Sequence, residues 1–270
     1  MKEIQCLNYG FVRLVDVMGN DTAIVQAART SFGQGAKSKS EDRTLIRYLM
    51  RNRHTSPFEM VEFKFHCKMP IFVARQWIRH RTANVNEFSG RYSEMPDEFY
   101  VPGSDLVRMQ SMDNKQGRCE DVLPKELTDG VVAQMADSQR TDFNEYRELI
   151  DKGIARELAR INLPLSIYTQ WYWKIDLHNL FHFLKLRLDK HSQYEIRVYA
   201  EAIAEIVKEC CPVAYEAFAD YQLDTISLSK VEQKALAMLL KGNALSDELL
   251  ATCGLGKRES AEFMKKMESL

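Results

Sequence analysis

The chain has 270 residues, 45% of them hydrophobic, and its 37 Lys and Arg stand against 38 Asp and Glu for a formal net charge of -1. That length holds one large domain or two small ones with a substantial core, and the charge balance argues against a dedicated nucleic-acid binder, which carries a basic excess. The N-terminus lacks the apolar run of a signal peptide and nothing approaches the roughly 18 uninterrupted apolar residues of a membrane span. The six cysteines, none in a Cys-x-x-Cys pair, therefore read as reduced thiols of a cytoplasmic protein.

Residues 9–18 are rich in β-formers and predict a strand. Gly19-Asn20-Asp21 predicts a turn, with Asp21 as N-cap of a helix to about Arg29. Gly33 and Gly35 loosen the chain before Ser40 opens a second helix, with Glu41 and Asp42 placed where the helix dipole favours them. Residues 54–59 read as a loop. Val61, Phe63, Phe65, Cys67 and Met69 then alternate with Glu62, Lys64, His66 and Lys68, the mark of a strand with one buried face. Pro70 suits the first position of a helix to about Arg79, with Ile71, Ala74, Trp77 and Ile78 as its apolar stripe.

A polar loop follows from Thr82, and residues 96–127, interrupted by Pro96, Pro102, Gly103, Gly117 and Pro124, read as a long surface excursion. Thr128 is expected to cap a long helix that Gly153 stops near Lys152. A short helix over 154–162 carries Arg156 and Arg160 one turn apart. Residues 167–175 predict a strand, Asp176 caps a helix over 177–189, and a further helix from Ser192 ends or kinks at Cys211-Pro212. Residues 227–270 are rich in Lys, Glu, Leu and Met, with Ser246 as a helix cap, and read as an accessory helical tail. The expected fold is α+β, an antiparallel sheet flanked by long helices, with a catalytic domain over 1–220 and a helical extension over 221–270.

The chemistry concentrates in residues 79–93. Arg79, Arg81 and Arg91 are suited to phosphates, because guanidinium forks bind them bidentately. Glu87 and Ser89 can orient a sugar hydroxyl or a base edge. Gln76 lies one turn before this cluster, and Arg187 stands on an otherwise apolar helix. His178 and His182, at i and i+4, are tested against zinc, but no third ligand and no His-Glu-x-x-His pattern accompanies them. No Gly-x-Gly-x-x-Gly loop supports a Rossmann site. Cys210-Cys211 lies in an apolar helical pattern with no adjacent His or Arg to lower a thiol pKa, so a buried structural role fits better than a nucleophile.

Arg79-His80-Arg81, seven residues, then Ser89, extended by Asn86-Glu87-x-Ser89-Gly90-Arg91-Tyr92, resembles the hallmark of the flavin-dependent thymidylate synthases. The likeness covers roughly residues 8–220 and leaves 227–270 beyond it. Many relatives carry Ser where this chain has Asn84. The resemblance implies methylation of dUMP to dTMP, with 5,10-methylenetetrahydrofolate as carbon donor, tetrahydrofolate as by-product, and FAD, reduced by NADPH, as hydride carrier. It implies a homotetramer with sites at subunit interfaces. Carried over residue by residue, it assigns Gln76, Arg79, Glu87, Ser89, Gly90, Arg91, Arg160 and Arg187 to dUMP. Arg187 is also the catalytic residue, stabilising negative charge on the pyrimidine. Tyr92 is a weaker neighbour of that site. To FAD the resemblance assigns Ser31, His54, Ser56, Arg79, His80, Arg81, Glu87, Asp176, His178 and His182. No metal, nucleic acid or membrane is implied. The rival readings are a non-catalytic nucleotide binder, a metal hydrolase on His178 and His182 and, more distantly, an RNA-binding protein.

Overall fold

The computed structural model describes residues 2–30, 39–112 and 116–269, and it forms two compact units, Met1–Phe218 and Ala219–Leu270. The first is built on a five-stranded sheet of strands β1 (Glu3–Cys6), β2 (Gly10–Met18), β3 (Glu62–Pro70), β4 (Asn84–Glu87) and β5 (Tyr168–Asp176). Their order is β1-β2-β3-β5-β4, and every pair is antiparallel. The alternation over 61–69 has the expected consequence. Val61, Phe63, Phe65, Cys67 and Met69 are fully buried, while Glu62, Lys64, His66 and Lys68 lie on the half-buried opposite face.

Helices α1 (Asp21–Thr30), α2 (Lys39–Arg51), α3 (Ile71–Trp77), α4 (Lys125–Asp151), α5 (Arg156–Ala159), α6 (Leu177–Arg187), α7 (Tyr194–Cys210) and α8 (Pro212–Phe218) complete this unit. Trp77 at the end of α3 is the centre of an aromatic nucleus. It meets Trp171 and Trp173 of β5 edge-on at 5.5 and 5.1 Å and stacks on Phe183 of α6 at 5.1 Å. Each buried ring of this kind contributes roughly 2–3 kcal/mol, so the inner face of β5 and the ends of α3 and α6 are held together where the polar motif begins.

Several local expectations are corrected. The four-residue strand β1 was not anticipated. Asp21 does not cap its own helix: Asn20 Oδ1 accepts from the Thr22 N–H, while the Asp21 carboxylate accepts from Val213 and Ala214 N–H, each at 2.9 Å, and so caps α8. Pro70 ends β3 and precedes the first helical residue of α3. Thr128 is inside α4, where its hydroxyl donates to Lys125 O. The region from Thr82 is not all loop, because it contains β4.

The excursion over 96–127 keeps little regular structure, but it is anchored. Arg118 makes two hydrogen bonds to Glu195 of α7, whose side chain is only 4% exposed, and Tyr100 donates a third. Asp176 caps α6 as expected, accepting from Asn179 N–H.

The second unit contains α9 (Lys230–Leu239), α10 (Asp247–Cys253) and α11 (Lys257–Glu268). Ser229 and Glu232 form a capping box on α9, and Ser246 caps α10 by accepting from Leu249 N–H. Ala235, Leu250, Cys253, Leu255 and Phe263 form its own core. No helix among the described residues is long and apolar enough to cross a membrane.

Candidate active site

The turn between α3 and β4 sets the geometry of the motif. Helix α3 ends at Trp77 because that side chain is locked in the aromatic nucleus, and His80 N–H then bonds back to Trp77 O. Gln76 is therefore on the helix, whereas Arg79, His80 and Arg81 are in the turn beyond it, so the helix stops short of the expected end near Arg79. From Asn84 to Glu87 the chain pairs with Lys174 to Trp171 of β5 as an edge strand. The motif thus has two halves, one at each end of a four-residue strand.

The first half lines a cavity of about 310 Å³, with Arg79, His80, Arg81 and Thr82 on one side and Asn179, His182, Leu186 and Arg187 of α6 on the other. The Arg187 Nε–H donates to His80 Nε2 at 3.0 Å, and its Nη2 donates to Gln76 O at 3.2 Å. The His80 ring rests against Phe183 at 5.0 Å and His182 at 5.9 Å. Burial, then the neighbouring Arg187 and His182, lower its pKa to about 4. Burial also lowers that of Arg187, but a guanidinium stays cationic at any working pH. Arg79 and Arg81 are exposed and have no carboxylate partner among the described residues.

The second half holds Glu87, Ser89, Gly90 and Arg91. Glu87 Oε1 accepts from Thr169 of β5 at 2.7 Å, and Ser89 O accepts from the Tyr92 and Ser93 N–H groups, turning the chain. Gly90 is buried against Arg160: a Cβ there would stand 2.6 Å from Met95 Sδ and 3.2 Å from Arg160 Cδ. A side chain at this position would have to displace Met95 and press on Arg160, so glycine gives the motif its close passage beside Arg160. Arg91 pairs with Glu157 at 3.2 Å, and Arg156 with Glu94 at 3.8 Å. Tyr92 is 79% exposed.

The structure brings Arg79, His80, Arg81, His182 and Arg187 to one cavity, and Glu87, Ser89, Gly90, Arg91 and Arg160 to the other end of β4; Gln76 is not among the cavity's lining residues, since its side-chain amide bonds to Gln193 and only its backbone carbonyl reaches Arg187. Asp176 serves as the α6 cap, with His178 half-buried in the first turn of that helix. His54 and Ser56 are exposed between α2 and β3, with the His54 ring edge-on to Tyr48 at 5.7 Å. Ser31 lies outside the described residues.

Asn179 and Thr82 are cavity residues that sequence reasoning missed. Asn179 at i+3 from the capping Asp176 was the available signal, because the cap fixes which way the first turn faces. Burial raises the pKa of both Cys210 and Cys211, so neither is an activated nucleophile. Among the described residues no three His, Cys, Asp or Glu side chains gather as metal ligands.

Residues 13–213 match the family model described as thymidylate synthase complementing protein, Thy1. The flavin-dependent thymidylate synthase of Wolbachia pipientis wMel is 52% identical over 99% of this chain and 93% of its own length. That of Treponema denticola is also 52% identical, over 99% of this chain and 98% of its own. These alignments run through the C-terminal tail, which therefore does not lie beyond the likeness to those relatives. The crystal structure of a UMP/dUMP methylase, PolB from Streptomyces cacaoi, bound with 5-Br dUMP, superposes with a TM-score of 0.73 at 37% identity, covering 81% of this chain and 98% of that one. An extended match to the family model, and relatives of such identity along nearly the whole chain, place this protein in the thymidylate synthase complementing family, that of the flavin-dependent thymidylate synthases.

Proposed function

We propose that this protein converts dUMP to dTMP by reductive methylation, taking its carbon from 5,10-methylenetetrahydrofolate, releasing tetrahydrofolate, and using FAD reduced by NADPH. The observation that carries the reading is Arg187, a half-buried cation fixed by His80 and Gln76 at a cavity with two further unpaired guanidiniums. The solved methylase, with its brominated uridine nucleotide, supports a uridine monophosphate as substrate.

The donor set fits a flavin dinucleotide. Arg79 and Arg81 are the diphosphate grip, and His80, His182, Asp176 and His178, with His54 and Ser56 from the segment between α2 and β3, are the flavin neighbours. When bound, FAD supplies the two-electron chemistry that completes the methyl group. The chain's own share is binding and charge. Arg187 stabilises negative charge on the pyrimidine as its C5 becomes nucleophilic. His80 keeps that guanidinium in place. Gln76, Glu87, Ser89, Gly90, Arg91 and Arg160 hold the nucleotide. The Arg91–Glu157 pair is exposed on both sides, and such pairs are weak, so a phosphate can replace the carboxylate.

The two halves of the motif sit at opposite ends of β4, an arrangement suited to sites completed by a second copy of the chain, as in a homotetramer. Chromatographic detection of dTMP after incubating the purified protein with dUMP, FAD, NADPH and methylenetetrahydrofolate under low oxygen tests the reading. No product from a flavin-loaded oligomer overturns it.

A further inference from the structure

The inner face of β5 carries Thr169, Trp171, Trp173 and Ile175 in alternation, all of them buried. A β-branched apolar residue of the same shape would suit the first of these positions, yet the row begins with a hydroxyl on a residue only 3% exposed. A buried hydroxyl needs a partner, and Thr169 donates to Glu87 Oε1 at 2.7 Å. Glu87 is the last residue of β4, and the ladder sets it opposite Trp171. Opposed residues of a ladder share a face, and the next residue of that row is one diagonal step away, which brings the Glu87 side chain to Thr169. The Phe88 N–H donates to Gln170 O at 2.8 Å. Three consecutive residues of β5 therefore hold the end of β4 by its backbone and the Glu87 carboxylate by its side chain.

The other side of the carboxylate is open. Glu87 is exposed, no cation pairs with it among the described residues, and its Oε2 has no protein partner among them. An ionised carboxylate only accepts hydrogen bonds, so Oε2 suits a sugar hydroxyl or a base N–H and repels a phosphate. A free glutamate side chain has several torsions to order when a ligand arrives. A carboxylate already pinned through Oε1 removes that cost from the binding step. We propose that Thr169 is a positioning residue for the nucleotide site: its hydroxyl fixes the Glu87 carboxylate so that Oε2 accepts from a neutral donor on the sugar or base of the bound nucleotide. The proposal rests on the function proposed above and adds to it a residue outside the motif that sets the direction of the motif's glutamate.

The test titrates dUMP into the flavin-loaded protein and reads its Kd in wild type and in variants of Thr169. Thr169→Val keeps the shape and removes the donor, whereas Thr169→Ser keeps the donor. Thr169→Val should weaken dUMP about tenfold, the scale of one hydrogen bond to a charged group, with flavin content and thermal midpoint close to wild type. Thr169→Ser should recover most of that loss. In a Glu87→Ala background, Thr169→Val should add nothing, because residues that act as one unit are not additive. Damage to packing around Thr169 would carry over into that background, so equal losses with and without Glu87 overturn the proposal. An unchanged dUMP Kd in Thr169→Val overturns it too, as does a serine variant as weak as the valine one. Thr169→Ala also lacks the donor, should weaken dUMP to the same degree, and takes the place of a valine variant that does not fold. The titration reads binding and not turnover, so absence of dTMP from a wild type that binds dUMP is the separate failure of the synthase reading.

Discussion

Arg187 Nε–H points at His80 Nε2 across 3.0 Å, and that bond exists only while the imidazole nitrogen is unprotonated. The fold secures this state by burying the ring and placing cationic Arg187 beside it, which lowers the His80 pKa from 6.5 to about 4. The unfolded chain takes up the proton near 6.5, and the folded chain only near 4. Between these values the unfolded state binds more protons, so the contribution is whole above pH 6.5 and is lost as the pH falls towards 4. The urea midpoint of wild type should therefore decline across this window, and that of His80→Leu should decline less. His80→Leu should also lower kcat about tenfold, because Arg187 loses its acceptor, with most of the rate recovered in His80→Gln, whose amide oxygen can accept. A Gln variant no better than Leu would show that the ring matters for another reason.

Arg187 itself uses two separate donors, Nε to His80 and Nη2 to Gln76 O. Lysine carries one ammonium and cannot reproduce that fork. Arg187→Lys should accordingly fall close to Arg187→Ala, each losing about 10²–10³ in kcat, while circular dichroism and flavin content stay at wild-type values. A lysine variant with near wild-type turnover would reduce the role of Arg187 to bare charge.

Gly90→Ala tests the close passage beside Arg160. The added methyl meets Met95 Sδ and Arg160 Cδ, and overpacking of this kind costs about 1–3 kcal/mol. Met95 is a flexible neighbour that can yield in part, so the clearer readout is substrate. The dUMP KM should rise several-fold more than the folate KM, because Arg160 is the group displaced.

Asp21→Ala should destabilise the first unit by about 2 kcal/mol, the upper range for losing a helix cap, since one carboxylate serves two N–H groups of α8. Asp21→Asn retains one acceptor oxygen and should lose less. Burial raises the pKa of Asp21, so the acid is less reluctant to protonate in the folded protein than in solution. Denaturant midpoints of the two variants at pH 7 check the order.

The sheet and the long helices were legible because their signals are local. The strict alternation of 61–69 can only be a strand with one wet face, and Asp176 before an apolar run can only be a cap. What was missed depends on distant partners. Asp21 looks like the cap of its own helix until α8, some 190 residues on, presents two bare N–H groups to it. β4 reads as a loop because Asn84, Asn86 and Glu87 are all exposed and carry no apolar period. It is a strand only because β5 supplies a ladder. The chemically rich residues 79–91 were legible as a group, but their separation into two halves was not, since that depends on where α3 stops and Trp77 stops it by tertiary packing.

The four-pair ladder between β4 and β5 also gives the seven-residue interval from Arg81 to Ser89 a meaning of its own. It works as a ruler. Loss or gain of a single residue within it would turn the side chains of β4 over to the opposite face, detaching Glu87 from Thr169 and moving Gly90 off Arg160. Substitutions among Thr82, Asn84 and Asn86 keep the ruler's length. A one-residue deletion there keeps every arginine and serine of the motif and should still leave the two halves mismatched.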